Sequence, residues 1–268
     1  FGEDDFKVGV SNGIVDQDKP LCPIDDDGNF TQEFALTAGM NFKKADPIIC
    51  EELKTKGRLL AKGVLNHQYP MCYRTGEPLM YKAIPSWFIA VEKVKEDLLE
   101  NNKKAEWVPK YVQEKRFHNW LQDARDWCIS RSRAWGNPIP LWVSDDMEER
   151  VCITSLKELV EYTGLKDAPE DIHREFLDQL TIPSKQGKGL LKRIPEVFDC
   201  WFESGSMPYA QLSYPFKLSQ EEFEKRYPAD FIAEGLDQTR GWFYTLNVIS
   251  DIKLLTKGKS FTQKLSMN

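Results

Sequence analysis

Two short runs of this 268-residue chain concentrate the residue types that a nucleotide-like ligand requires. One is Asp199-Cys-Trp-Phe-Glu-Ser-Gly-Ser and the other is Ala233-Glu-Gly-Leu-Asp-Gln. Carboxylates such as Glu234 and Asp237 accept hydrogen bonds from ribose hydroxyls. Gly235 lets backbone approach a ligand closely. Asp237 is a good N-cap, and the free N–H groups of a helix behind it suit an anion. Trp201 and Trp242 have the size to wall a slot for an apolar side chain. The same residues serve structure equally well, the acids as helix caps and the indoles as core. The residues alone leave these two readings open.

Specific elements must position these groups. Glu196–Phe202 reads as a near-continuous apolar strand, and Ala229–Gly235 as a second. A helix follows Asp237, with Trp242, Leu246 and Ile249 at i, i+4 and i+7 as its buried stripe. Apolar strands followed by helices predict an α/β fold with a parallel sheet. In open parallel sheets, ligands bind at the carboxyl ends of strands, where both runs would sit.

Upstream, Asp46 before Pro47 predicts a helix to Lys56 with Gly57 as its stop, and Arg58–Leu65 reads as a strand. Two strand-like runs flank Thr75-Gly-Glu-Pro78, predicting a β-ribbon. Residues 92–104 form a charged helix and Pro109–Asp123 a more basic one. The polar stretch 143–195 reads as an insertion. Its Lys185-Gln-Gly-Lys-Gly run lacks the spacing of a phosphate-binding loop, so a solvated loop is expected.

Bulk properties narrow the classes. A net charge of −6 excludes a wholly basic nucleic-acid binder. A local basic strip from Lys103 to Arg133 carries eight Lys/Arg against four Asp/Glu, interleaved with Trp107, Tyr111, Phe117, Trp120 and Trp127. That mixture suits a polynucleotide, or an amphipathic helix with a solvated face. The cysteines at 22, 50, 72, 128, 152 and 200 are too dispersed for CxxC motifs and read as free thiols. His67, His118 and His173 are far apart, so no metal site is expected. No apolar run reaches the roughly 18 residues of a membrane span. The start, Phe-Gly-Glu-Asp-Asp, has neither Met nor a signal peptide's pattern, and suggests an interior piece of something longer.

Several blocks together resemble one family. Asp-Cys-Trp-Phe-Glu-Ser-Gly-Ser-Met-Pro-Tyr-Ala (199–210) and Ala-Glu-Gly-Leu-Asp-Gln-Thr-Arg-Gly-Trp-Phe (233–243) resemble segments of the isoleucyl-, valyl- and leucyl-tRNA synthetase group. Asp-Trp-Cys-Ile-Ser-Arg-Ser-Arg-Ala-Trp-Gly-Asn-Pro-Ile-Pro (126–140) resembles the strand returning from that group's editing insertion. His67-Gln-Tyr-Pro-Met-Cys-Tyr-Arg and Ala-Ile-Pro-Ser-Trp-Phe (83–88) look like its connector. Arg-Phe-His-Asn-Trp-Leu-Gln-Asp-Ala-Arg-Asp-Trp and Pro-Leu-Trp-Val-Ser-Asp-Asp resemble the eukaryotic-type isoleucine enzymes most.

The resemblance implies a partial Rossmann-like parallel sheet with a β-rich editing-domain remnant and a connector. The corresponding domains are 1–64 (end of the editing domain), 65–108 (connector) and 109–268 (second half of the nucleotide-binding domain, with 149–195 inserted). It implies an isoleucine–tRNA ligase reaction with ATP and Mg2+, and with isoleucine and isoleucine tRNA as partners. Glu234 and Asp237 would contact the ribose, Gly235 the adenylate backbone and Gln238 the amino-acid end. Trp201 and Trp242 would shape the isoleucine pocket. By position Asp5 would hold the α-ammonium of a mischarged amino acid at the editing site. Arg131 and Arg133 would guide the tRNA acceptor end, or else act as structural residues at a domain hinge. No catalytic residue, zinc site, membrane or DNA is implied, and the location is cytoplasmic. The HIGH and KMSKS motifs that stabilise phosphate charge in the family do not occur, so this chain alone is expected to be inactive. The alternatives are a valine or leucine sibling, or a non-catalytic tRNA- or protein-binding derivative.

Overall fold

The computed structural model describes residues 3–16, 21–80, 82, 84, 86–256 and 265–267. The chain divides into two compact units, Phe1–Pro85 and Ser86–Asn268.

The first unit is helical. It contains α1 (Glu3–Ser11) and α2 (Phe42–Thr55). Helix α2 begins a turn before the expected Asp46 cap, because the Asn41 side chain accepts from Lys43 N, and Pro47 lies inside it. Gly57, at φ +65°, stops it as expected. The ribbon around Thr75–Pro78 is present in minimal form. Met71 bridges Pro78, and Cys72 N donates to Glu77 O at 2.7 Å. The expected strand at Arg58–Leu65 is absent. Its backbone has no ladder partner among the described residues, and Leu60 is 100% exposed. The β-rich character expected here is likewise absent. Apart from Met71–Pro78, the unit's described residues pair only at the isolated bridges Ile24–Phe30 and Asn29–Asn41, because turns at Gly28 and Gly39 break the short runs.

The second unit carries β1 (Trp87–Ile89), α3 (Lys95–Lys104), α4 (His118–Gln122), β2 (Trp127–Cys128) and β3 (Ser130–Arg131). A π-helical turn, Val112–Phe117, leads into α4. Its register is held from the side. Asn102 Nδ2 donates to Gln113 O at 3.1 Å, and Gln113 Nε2 donates to Asn102 O at 2.8 Å. Next come β4 (Leu141–Val143), β5 (Arg150–Cys152), α5 (Leu156–Thr163), α6 (Arg174–Leu177), β6 (Thr181–Pro183) and β7 (Leu190–Arg193). The chain continues through β8 (Val197–Phe198), α7 (Cys200–Gly205), α8 (Met207–Ala210), α9 (Gln220–Glu224), α10 (Trp242–Thr256) and β9 (Leu265–Met267).

Every strand pairing among the described residues of this unit is antiparallel: β2-β1-β9, β3-β8 and β5-β4-β7-β6. The α/β content matches the expectation, but the described residues do not form the expected parallel sheet. Two local reasons account for this. Only Val197–Phe198 of the first expected strand is extended, because Asp199 then accepts from Trp201 N and turns the chain into α7. The second expected strand, Ala229–Gly235, bends at Asp230 and has no ladder partner among the described residues, leaving Phe231 84% exposed. A strand exists only if a neighbour takes its hydrogen bonds.

The four-stranded sheet closes over its own core of Trp142, Ile153, Leu159, Leu177, Ile182 and Leu191. This is the region read as an insertion. A larger core, including Val91, Leu98, Phe117, Leu121, Ile129 and Val248, packs α3 and α4 against α10. Tyr209, Phe223 and Ile249 form a third cluster.

Candidate functional site

Helices α7 and α10 meet at Gly205. A Cβ there would lie 2.8 Å from Ile249 Cδ1 and 3.0 Å from the Thr245 carbonyl carbon. Only glycine permits so close a crossing. The crossing sets the two sequence-selected runs side by side. The Trp201 ring comes against Gly241, whose added Cβ would stand 3.2 Å from Trp201 Cη2. The Trp242 indole N–H donates to Ser204 O at 3.0 Å. Trp201 remains 41% exposed while Trp242 is half-buried. Both indoles thus lie where α7 meets the start of α10.

Glu234, Gly235, Asp237 and Gln238 lie on the segment that leads into α10. Leu236–Arg240 is a 3-10 turn, with Gln238 N donating to Gly235 O at 3.0 Å. Asp237 is not the cap of α10. That part is taken by Gln238, whose Oε1 accepts from Trp242 N at 2.9 Å, while Asp237 Oδ2 accepts from Gln238 Nε2 at 3.1 Å. The turn thus presents the carboxylates of Glu234 and Asp237 to solvent. Beneath it, Arg116 Nε donates to the buried Thr239 hydroxyl at 3.1 Å, and Arg240 lies 4.7 Å over the Trp120 ring. Trp107 packs on Phe117 and Phe243 at 5.0 and 5.2 Å. These aromatics of the basic strip are therefore packed into the fold, supporting the turn from below, rather than displayed as a polynucleotide platform.

The hub that sequence reading missed is Asp199, buried at the start of α7. Its Oδ2 accepts from the Trp127 indole at 3.0 Å and pairs with Arg131 Nη2 at 3.0 Å. Arg131 Nη1 also donates to the Cys128 and Ser130 carbonyls, each at 2.9 Å. Arg131 is thus committed to holding β3 against the α7 start. Its signal in the sequence was an acid inside an apolar run. Arg133, two residues on, is exposed. It opens on a cavity of about 410 Å³ shared with Trp135, Asn137, His173 and Glu203.

Asp5 sits in the first turn of α1, in the other unit, exposed to solvent. The Lys185–Gly189 run is a solvated loop, as expected, with four of its five residues exposed, and its start is anchored from beneath. Lys185 N donates to Glu149 Oε1 at 2.9 Å, Gln186 N and Lys188 N converge on Ser184 Oγ, and that hydroxyl bonds Glu149. The loop cradles an internal carboxylate. The Ser184 hydroxyl, followed by backbone N–H groups, holds Glu149 below its ordinary pKa. In α10, burial pushes Asp251 up to about 6, with Asn101 Nδ2 donating to its Oδ1 at 2.5 Å.

The family model described as tRNA synthetases class I (I, L, M and V) matches residues 12–264. The chain is 59% identical over 250 residues to an isoleucine–tRNA ligase of Tetrahymena thermophila, covering 93% of this chain and 23% of that protein. It is 57% identical to the cytoplasmic isoleucine–tRNA ligase of Mus musculus, over 93% of this chain and 20% of the relative. The cytoplasmic isoleucine–tRNA ligase of Saccharomyces cerevisiae is 53% identical, over 93% of this chain and 23% of the relative. The chain thus spans between a fifth and a quarter of the length of these curated relatives.

Proposed function

The chain belongs to the class I tRNA synthetase family of the isoleucine, leucine, methionine and valine enzymes, and from that premise we propose that it is part of an isoleucine–tRNA ligase. The observation that carries this reading is the packing of α7 on α10. It brings Trp201 against Gly241, at the end of the Leu236–Arg240 turn, and ties Trp242 to Ser204, which supports the reading. Two indoles near two solvent-facing carboxylates supply the residue types an aminoacyl-adenylate needs, apolar surface for its side chain and acceptors for its ribose. Isoleucine rather than valine or leucine is supported by the names of the relatives.

In the proposed reaction the isoleucine carboxylate attacks the α-phosphate of ATP and pyrophosphate leaves, and then a terminal ribose hydroxyl of isoleucine tRNA attacks the acyl carbon of the adenylate and AMP leaves. The residues here contribute by binding and orientation. Glu234 and Asp237 accept from the ribose, Gly235 admits the adenylate backbone, and Gln238 fixes the turn at the amino-acid end. Among the described residues no group of three or more His, Cys, Asp or Glu is arranged to hold a metal. The Mg2+ that accompanies ATP is therefore assigned no protein site and no step here. Arg133 and Arg131 guide the tRNA acceptor end; the exposure of Arg133 supports its part, while the Asp199 pair and the carbonyl bonds of Arg131 favour a structural one for that residue. Asp5 serves the editing of mischarged tRNA, and the proposed family domains remain 1–64, 65–108 and 109–268. Cytoplasmic relatives support a cytoplasmic location. No helix among the described residues is long and apolar enough to cross a membrane.

Calorimetric titration of the chain with non-hydrolysable isoleucyl-, valyl-, leucyl- and methionyl-adenylate analogues tests the reading. The isoleucyl analogue should bind tightest. Asp237→Ala should weaken it about tenfold, the scale of one charge-assisted hydrogen bond. Equal binding of all four analogues, or of none, would refute it.

A further inference from the structure

We propose that Arg116 is a positioning residue for the Leu236–Arg240 turn, acting as an N–H donor through Thr239 and not as a cation on the ligand. Its consequence for the adenylate rests on the ligase reading. Its hold on the turn does not.

Thr239 is 1% exposed. A hydroxyl so buried is costly unless it is hydrogen-bonded. This one is used in both senses. It donates to Leu236 O at 2.8 Å and accepts from Arg116 Nε at 3.1 Å. Fixing the Leu236 carbonyl fixes the peptide plane that leads into Asp237. The Asp237 carboxylate is folded back over Gly235, where an added Cβ would collide with its Oδ1. The carboxylate and the glycine backbone thus keep their mutual placement only while the turn keeps its shape, and Thr239 is the relay through which Arg116 sets that shape.

The segment that carries Arg116 is built to hold it there. Arg116 lies in the π-helical turn Val112–Phe117, and such turns occur frequently at functional sites. Gln113 locks this turn onto the end of α3, its Nε2 donating to Asn102 O at 2.8 Å and to Ala105 O at 2.6 Å. Four residues beyond Arg116, the Trp120 ring takes the Arg240 guanidinium at 4.7 Å. One helical segment therefore grips the turn at two successive residues, 239 and 240. Among the described residues the Arg116 guanidinium has no acidic partner, so no ion pair competes for its Nε.

Side-chain lengths separate a donor from a charge. Glutamine carries Nε2 at the same chain position as arginine Nε, and methionine carries a methyl there. Lysine keeps the charge but places its nitrogen one atom further out. The test combines titration of the chain with the isoleucyl-adenylate analogue and amide hydrogen exchange without ligand. Arg116→Met should weaken the analogue roughly 2- to 10-fold, the worth of one hydrogen bond. Arg116→Gln should restore most of that loss, and Arg116→Lys should not. In a Thr239→Val background, Arg116→Met should cost nothing further, as for two groups in one relay. Without ligand, Arg116→Met should speed exchange at Gln238 and Gly241, whose N–H groups bond Gly235 O and Gln238 O, and leave the interior of α10 unchanged. Arg116 is exposed, so its variants should fold, which near-UV circular dichroism checks; should Thr239→Val not fold, the Gln and Lys variants decide. The proposal is overturned if Arg116→Met exchanges like wild type at Gln238 and Gly241, if it binds the analogue like wild type, if lysine rescues binding and glutamine does not, or if the full loss persists in Thr239→Val. A wild-type chain that binds no analogue would sink the ligase reading, and the exchange at Gln238 and Gly241 would then decide the hold on the turn.

Discussion

Arg131 Nη2 stands 3.0 Å from Asp199 Oδ2 and joins the strand before the Arg133 loop to the first residue of the α7 entry. The carboxylate side is almost wholly buried and the guanidinium is 40% exposed. Removing either partner leaves the other's charge uncompensated, but the buried partner suffers more. Arg131→Ala should therefore destabilise the chain, and Asp199→Ala, which also orphans the Trp127 indole, should cost about 2–3 kcal/mol. Urea unfolding of the two single variants and the double variant checks this. Strict additivity would show that the pair is not coupled.

Gly205→Ala should cost about 1–3 kcal/mol, because the new methyl meets the Thr245 backbone, which cannot swing aside. Gly241→Ala meets the Trp201 ring and Gln238 Oε1 instead. It should leave stability closer to wild type while weakening the isoleucyl-adenylate analogue. Thermal unfolding paired with the analogue titration separates the two effects.

Asp251 gives a pH signature. Its folded pKa, raised to about 6 by burial, exceeds its ordinary 3.8. The folded state therefore holds the proton more tightly. That stabilisation is full below about pH 4 and is lost as pH rises to about 6. Asp251→Asn mimics the protonated form. It should be more stable than wild type by about 2–3 kcal/mol at pH 7, with no difference near pH 4. Other carboxylates slope the opposite way, so the variant-minus-wild-type difference in denaturant midpoints is the quantity to follow. A pH-independent difference would contradict the assignment.

Glu149 anchors the Ser184–Gly189 loop through side-chain and backbone donors. Glu149→Ala should leave those N–H groups exchanging faster. Hydrogen exchange confined to residues 184–189 would show it, and unchanged protection there would count against the cradle.

What could be read from the sequence was local. The α3 helix, the stop at Gly57 and the Thr75–Pro78 ribbon depend on neighbours within a few residues, and each appears. Of the expected stripe, Leu246 and Ile249 are buried and Trp242 half-buried, with Val248 and Ile252 buried besides, because α10 is enclosed on more than one side. Strands at 58–65 and 229–235 failed because an apolar run cannot announce its partner. Asp237 looked like a cap, but Gln238 reaches Trp242 N instead, a choice set by the intervening 3-10 turn. The Trp135–His173 stack joins a loop to a residue before α6, and no spacing rule connects them.

The most direct measurement grafts this chain in place of its counterpart in the Saccharomyces cerevisiae relative and follows amino-acid-dependent ATP–pyrophosphate exchange. If α7 and α10 together form an isoleucyl-adenylate pocket, the chimera exchanges with isoleucine at least roughly tenfold better than with valine in kcat/KM, and Trp201→Ala erodes that preference. A folded chimera that exchanges with neither, or that prefers valine or leucine, would contradict the account.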